Sequence, residues 1–240
     1  MSNFLNISPN NSKSLHELIY KNALKLKRDA LVIADVNKSY STANSLLILS
    51  SEEAIKAILV LLHSEGYNVY KIQDAKKFFN DHKIRHQLAQ FLEIINGFIE
   101  SSIEYEKNEK SQLQISKNET INEVFNLFKD IVNASKPFFK TGERINSLKE
   151  FNDNKNKGLY TDYRTALLIP SSTITEETYL QTKNIVERIF KTYKVLKVMY
   201  HPKIDNHFKN EKVIKLSGQI KELVNGLIHG IEEIKKIELK

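Results

Sequence analysis

Residues 40–63 read YSTANSLLILSSEEAIKAILVLLH, and apolar side chains recur on almost every face of a helix with this sequence. A helix on a protein surface normally keeps one polar face, whereas a helix that is apolar nearly all round is buried in a core. Gly66 follows the segment and suits the left-handed conformation that ends many helices. The sequence therefore predicts a buried helix from about Tyr40 to His63 at the centre of a helical bundle.

Helical periodicity continues on both sides of this segment. Ser14 and Glu17 have the spacing of a capping box, and the apolar period that follows them reaches about Asn37. Residues 158–170 are instead rich in residue types that favour extended chain. The sequence thus predicts an all-α antiparallel bundle with at most a short hairpin. Further helical segments are predicted at residues 69–79, 81–103, 121–137, 142–152, 172–200 and 211–237.

The composition limits the class of protein. Only 7 glycines and 4 prolines occur in 240 residues and no linker divides the chain, so we expect one helical domain over residues 1–240. Cysteine is absent, which excludes disulfides, thiolate metal sites and a cysteine nucleophile. The chain start lacks the features of a signal peptide, and charges interrupt the apolar stretch 46–62. We therefore expect a cytoplasmic protein without membrane contact.

The chain carries an excess of positive charge. It has 36 Lys and Arg against 29 Asp and Glu, which gives a formal net charge of +7. Such an excess favours encounter with nucleic acid or another acidic partner. A general bias of the composition toward lysine explains it equally well, so charge alone assigns no partner.

A charged cluster interrupts the central apolar helix. Glu52 and Lys56 are four residues apart and share a helix face, with Glu53 beside them. On a surface helix such a pair would be an ordinary ion pair that contributes little. Because the surrounding faces are apolar, we expect this pair to be buried or to line a polar cavity, since an unpaired buried charge is costly.

The start of the predicted third helix is rich in histidine and cations. His82 and His86 are four residues apart, but the glutamate that follows the first histidine in zinc proteases is missing, so we predict no metal site. Together with Asp81 and Arg85 they form a polar, mostly cationic patch at a helix N-terminus, where backbone N–H groups favour a phosphate. A solvated basic first turn is the alternative.

A third segment, residues 155–163, is a basic turn that opens an extended stretch. It contains Lys157 and the aromatic residues Tyr160 and Tyr163. Packing against the core is the default expectation for the two rings.

Together, the three segments resemble the AbiV family of bacterial abortive-infection proteins, a branch of the HEPN superfamily of helical domains. The family's Glu-Glu-x-x-Lys-Ala stretch is matched at residues 52–57. Its Asp/Ser-His-x-x-Lys stretch after an aromatic pair is matched at residues 78–85, with Arg85 in the place of lysine. Its Gly-Leu-Tyr-Val-Asp element, followed by a proline and an acidic helix start, is matched at residues 158–177, with Thr161 in the place of valine. The resemblance covers about residues 15–200.

The resemblance implies a role in phage defence, in which infected cells arrest before phage progeny mature. Many HEPN relatives are metal-independent ribonucleases with an Arg-x(4–6)-His motif, but no arginine of this chain is followed by histidine at that spacing. Two functions are therefore compared. The first is an abortive-infection effector that acts on RNA or the translation machinery, with metal-independent ribonuclease activity as one form. The second is a non-catalytic helical protein that binds a phage or host protein and inhibits translation.

For ribonuclease chemistry the candidate residues have separate roles. His82 is the candidate acid or base, because an unperturbed imidazole titrates near neutrality. Lys56 would neutralise phosphate charge, with Glu52 or Glu53 orienting the cation. The substrate-binding candidates are Lys83, Arg85, Lys157 and Tyr160. No metal and no cofactor are expected.

The last predicted helix carries an apolar seam that something must cover. Because HEPN relatives commonly pair two subunits around a two-fold axis, we expect a homodimer formed through this seam. The alternative is that the seam covers the protein's own bundle. The seam residues are Val213, Leu216, Ile220, Leu223, Leu227, Ile231 and Ile234.

Overall fold

The computed structural model describes residues 7–67, 69, 89, 93, 139–163, 165–201 and 218. Helices make up most of this part of the chain, which confirms the predicted all-α class. The predicted helices at 69–79, 81–103, 121–137 and 211–237 lie outside the described residues, apart from single positions within them. The described elements are α1 (Pro9–Asn37), α2 (Tyr40–Ser64), α3 (Phe139–Lys157), β1 (Asp162–Tyr163), β2 (Leu167–Leu168), α4 (Pro170–Thr173) and α5 (Glu176–Met199).

Helix α1 begins earlier than the sequence pattern predicts. Ser8 is its N-cap, and the Ser8 side chain accepts a hydrogen bond of 3.3 Å from the backbone N–H of Asn11. Pro9 occupies the first turn, where its missing N–H and fixed φ are tolerated. The predicted cap at Ser14 is therefore wrong, because Ser14 lies inside the helix. The helix ends as predicted at Asn37, where Lys38 turns into the left-handed region with φ of 54°.

Helix α2 is the central element, as predicted. It contacts α1, α3, α4 and α5 in the described structure, and nearly all of its residues after Tyr40 are buried. Helix α1 presents small residues to the core, and Ala23 and Ala30 are fully buried. Their size allows close approach of the two backbones, since Ser50 Oγ of α2 donates a hydrogen bond of 2.8 Å to the carbonyl of Ala23. Packing around α2 thus organises the described helices.

Helices α1 and α5 are joined by an aromatic cluster. Tyr20 and Tyr193 stack with their ring centroids 3.9 Å apart. His16 Nδ1 and the hydroxyl of Tyr193 share a buried hydrogen bond of 2.7 Å. Burial lowers the pKa of His16 below its ordinary value of 6.5 and raises the pKa of Tyr20 to about 12. The cluster therefore favours a neutral imidazole.

The segment between α3 and α5 contains the predicted short hairpin. Strands β1 and β2 pair antiparallel, with Asp162 opposite Leu168 and Tyr163 opposite Leu167. Helix α5 begins after Thr175, whose side chain accepts a hydrogen bond of 3.3 Å from the N–H of Thr178. The sequence prediction, a helix from residue 172, placed this start four residues too early, inside the separate one-turn helix α4.

Candidate functional site

Glu52, the first glutamate of the family-like motif, is buried between helices. It is 2% exposed, and its Oε1 lies 3.2 Å from Nζ of Lys155 on α3. Lys155 is itself 8% exposed. The predicted burial of Glu52 is therefore confirmed, whereas its predicted pairing with Lys56 is wrong.

Glu53 and Lys56 form a separate ion pair on the neighbouring face of α2. The two residues are three apart in sequence, and their side chains are about one-fifth exposed. Glu53 also accepts a hydrogen bond of 3.2 Å from Nδ2 of Asn22 on α1. Positions three and four apart are both neighbours on a helix, so spacing alone did not distinguish the two glutamates as partners for Lys56. The two carboxylates face different helices and do not form one site.

The family-like glycine, Gly158, allows the end of α3 to lie against α2. A Cβ atom at this position would lie 2.3 Å from Ser45 Oγ and 2.6 Å from the carbonyl oxygen of Ser41, which is closer than real Cβ contacts. Ser45 Oγ donates a hydrogen bond of 2.8 Å to the carbonyl of Lys155. This close approach brings Lys155 within reach of Glu52. The glutamate of the first family-like segment, Glu52, and the glycine of the third, Gly158, thus belong to the same contact between α2 and α3.

Sequence reasoning missed a second buried ionic cluster. Glu93 is 1% exposed, and its carboxylate accepts hydrogen bonds from Nε of Arg188 at 2.8 and 3.0 Å and from Nε of Arg144 at 2.9 Å. Charge-assisted bonds of this kind satisfy a carboxylate that burial would otherwise destabilise. No local pattern could have indicated the cluster, because its three members lie on widely separated parts of the chain.

Two of the predicted substrate-binding residues lie in the described structure. Tyr160 is 66% exposed and the neighbouring Tyr163 is 73% exposed, so the default expectation that these rings pack in the core is wrong. Lys157, the last residue of α3, is partly exposed and lines a cleft. These side chains are accessible to a ligand, but contact with a substrate stays a prediction.

The cleft lined by Lys157 lies between α3 and the start of α5, and we call it the α3–α5 cleft. Its volume is about 220 Å³. Both walls are mainly polar, although helix faces that oppose each other inside a protein are usually apolar. Two regular helix stripes supply the walls: Glu150, Asn154 and Lys157 from α3, and Thr178, Gln181 and Thr182 from α5.

The remaining predicted site residues, His82, Lys83 and Arg85, lie outside the described residues. Whether they approach Lys56 therefore stays a prediction. Within the described ranges, no group of three His, Asp or Glu side chains is placed to hold a metal ion.

His63 lies near the end of α2, and burial lowers its pKa. The Nε2 atom of His63 lies 3.1 Å from the carbonyl oxygen of Ile7.

The helical fold and the motif residues together define a HEPN-type helical protein. The family model for AbiV, a family of HEPN domains, matches residues 11–191, which is more than half of the 240 residues. The chain therefore belongs to the AbiV family, and the predicted family is confirmed. A search of curated proteins and a search of solved structures each found no match.

Membership of the AbiV family suggests a role in abortive-infection defence. The predicted role in abortive-infection defence is therefore confirmed at the level of the family, whereas the RNA target and the mechanism stay predictions. Among the helices described, none is both long enough and apolar enough to span a lipid bilayer.

Proposed function

We propose that the protein is an anti-phage effector that acts in the cytoplasm on RNA or on the translation machinery. The observation that carries the proposal is the family match over residues 11–191, which includes all three motif segments. The net charge of +7 and the accessible Lys157 and Tyr160 support an RNA-containing target.

The second candidate function is inhibition of translation by binding alone. Two observations favour it over ribonuclease chemistry. Glu52 is occupied by Lys155, while Lys56 is occupied by Glu53, so these candidate catalytic residues do not converge. In addition, Tyr163 and Leu167 are cross-strand neighbours that are both largely exposed, which is typical of a surface that contacts another protein.

The test is expression of the wild-type protein and of His82→Ala in phage-infected bacteria. Plaque counts measure protection, incorporation of labelled methionine measures translation, and sequencing of RNA ends detects cleavage. New RNA ends that disappear in His82→Ala support a ribonuclease. Arrested translation without new ends supports binding alone. Plaque numbers equal to those of an empty vector contradict both forms of the proposal.

A further inference from the structure

The hairpin between α3 and α5 exposes an apolar face. Tyr163 of β1 and Leu167 of β2 lie directly opposite each other, so their side chains share one face of the strand pair. Ile169 follows two residues after Leu167 in extended chain and lies on the same face. Tyr163 is 73% exposed, Leu167 is 63% exposed, and Ile169 is exposed as well. Large apolar side chains that are grouped on a surface in this way often mark a contact with another molecule.

Acidic side chains accompany this face at one end of the bundle. The rings of Tyr40, at the start of α2, and Tyr179, near the start of α5, lie 5.6 Å apart, so the two helix starts meet there. The hairpin leads through α4 into the start of α5. Lys38 and Lys157 lie at the same end and offset part of the negative charge. We call the apolar face and its exposed carboxylates the hairpin surface, which consists of Tyr163, Leu167, Ile169, Asp162, Glu176 and Glu177.

The outer side of α1 carries the opposite charge. Residues at steps of three and four share one stripe of a helix. One such stripe is exposed along its whole length, and we call it the α1 ridge: Leu18, Lys21, Lys25, Arg28 and Val32. Leu18 is 59% exposed and Val32 is 54% exposed, and the three cations lie between them. Asp29 is exposed beside the ridge and offsets one of these charges. The ridge thus combines apolar side chains with positive charge over about 20 Å.

The hairpin surface and the α1 ridge are complementary in charge, and each also carries apolar side chains. Both are exposed in the same structure, so neither covers the other within one copy of the chain. Two copies can satisfy both surfaces, since the apolar hairpin face can pack beside Leu18 or Val32 while its carboxylates face the cations of the ridge. We infer that copies of this chain assemble head to tail, with the hairpin surface of one copy on the α1 ridge of the next.

A contact between two different surfaces has consequences that a two-fold contact lacks. Each pair leaves one hairpin surface and one α1 ridge unused, so the assembly continues into a ring or an open chain. The hairpin surface is small and its charges are screened by salt, so the contact is weak and reversible. This inference goes beyond the proposed function, because it concerns how copies meet and not what they act on. It also uses surfaces other than the last-helix seam expected for the two-fold dimer.

The test is sedimentation velocity of the purified full chain over a range of concentrations. In about 50 mM salt the average mass should rise steadily with concentration, and in about 500 mM salt most of this rise should vanish, because salt screens the charges. The hairpin variant Tyr163→Ser, Leu167→Ser and the ridge variant Lys25→Glu, Arg28→Glu should each weaken this association by at least about tenfold. All four side chains are exposed, so we expect both variants to fold, which thermal melting checks.

Mixing the two variants tests the head-to-tail geometry itself. The hairpin variant keeps an intact ridge and the ridge variant keeps an intact hairpin surface, so their equimolar mixture should form a species larger than either variant forms alone. A contact between two copies of the same surface cannot recover in this way. The control Lys13→Glu, Lys194→Glu changes the net charge equally at exposed positions outside both surfaces and should associate like the wild type. A wild-type mass that does not rise with concentration in low salt, an equal loss in the control, or a mixture no larger than its separate components would overturn the inference.

Discussion

The Nζ atom of Lys155 lies 3.2 Å from Oε1 of Glu52, and both side chains are buried between α3 and α2. This contact gives a structural role to a glutamate of the family-like motif. Two further features hold α3 close to α2: the hydrogen bond from Ser45 Oγ to the Lys155 carbonyl, and the absence of a side chain at Gly158. Because α3 also carries one wall of the α3–α5 cleft, the same contact holds that wall in place.

Replacing Lys155 should destabilise the protein strongly. Lys155→Met keeps the length of the side chain but removes the ammonium group beside the buried Glu52 carboxylate. We expect the free energy of unfolding to fall by about 3 kcal/mol, as is usual when one partner of a buried pair is removed. Urea unfolding followed by circular dichroism measures the change.

Lys56→Ala is the matched control for this prediction. Its pair with Glu53 is partly exposed to solvent, so we expect a loss below about 1 kcal/mol. The double variant Glu52→Gln, Lys155→Met should recover part of the stability, since it removes both charges of the Glu52–Lys155 pair. Equal effects of Lys155→Met and Lys56→Ala would contradict the assigned pairing.

Gly158→Ala should also destabilise the protein, for a steric reason. The added Cβ would meet Ser45 Oγ at 2.3 Å and the backbone oxygen of Ser41 at 2.6 Å, and the backbone atom cannot rotate away. We expect a loss of about 1–3 kcal/mol in the free energy of unfolding. Gly218→Ala is the control, because a Cβ there would have no atom within 4 Å and alanine favours a helix. A Gly158→Ala variant as stable as Gly218→Ala would show that α3 does not approach α2 this closely.

Stability should fall as the pH is lowered from 7.5 to 5.5. Burial lowers the pKa of His16, with Glu17 opposing and Lys197 reinforcing that shift. The unfolded chain therefore takes up a proton near the ordinary pKa of 6.5, while the folded chain keeps the imidazole neutral. Binding of protons by the unfolded state lowers the free energy of unfolding as the pH falls through this window.

His16→Gln removes this titration while retaining a polar side chain. We expect its melting temperature to depend less on pH than that of the wild type between pH 7.5 and 5.5. The groups that face His16 include Glu17, Lys197 and the hydroxyl of Tyr193. Identical pH dependence in the two proteins would exclude His16 as the responsible group.

Protection against phage should depend on His82 and Arg85 more than on His86, since only the first two match the family pattern. Plaque counts on cells that carry each alanine variant measure this difference. His86→Ala serves as the neighbouring control. Full protection by His82→Ala would remove His82 from the functional site.

The protein should form a homodimer through the seam of its last predicted helix. Light scattering should then give about twice the chain mass of 27.8 kDa. In a variant with Leu223→Glu and Leu227→Glu, a folded monomer identifies the seam as the interface, whereas an unfolded chain assigns the seam to the core. A wild-type protein that is monomeric at high concentration would contradict the dimer.

Much of the fold could be predicted from sequence because its signals are local. The apolar run from Tyr40 to His63 predicted a central helix, and α2 ends one residue later, at Ser64. The β-compatible residues after Gly158 predicted the hairpin. The start of α1 was predicted wrongly because Ser14 and Ser8 both have capping side chains, and Pro9 in the first turn favours the earlier one.

The sequence by itself determined the helical class and the burial of Glu52, because composition and periodicity record which faces avoid water. The family motifs could be recognised from sequence because each lies within a short continuous segment. Only the tertiary structure decided the partner of Glu52. Lys155 is 103 residues away in sequence, and no spacing rule connects the two. The same holds for the α3–α5 cleft, whose polar walls come from two helices that meet only after the chain has folded. Side-chain partners and clefts depend on which helix faces meet in space, and a local pattern cannot specify that.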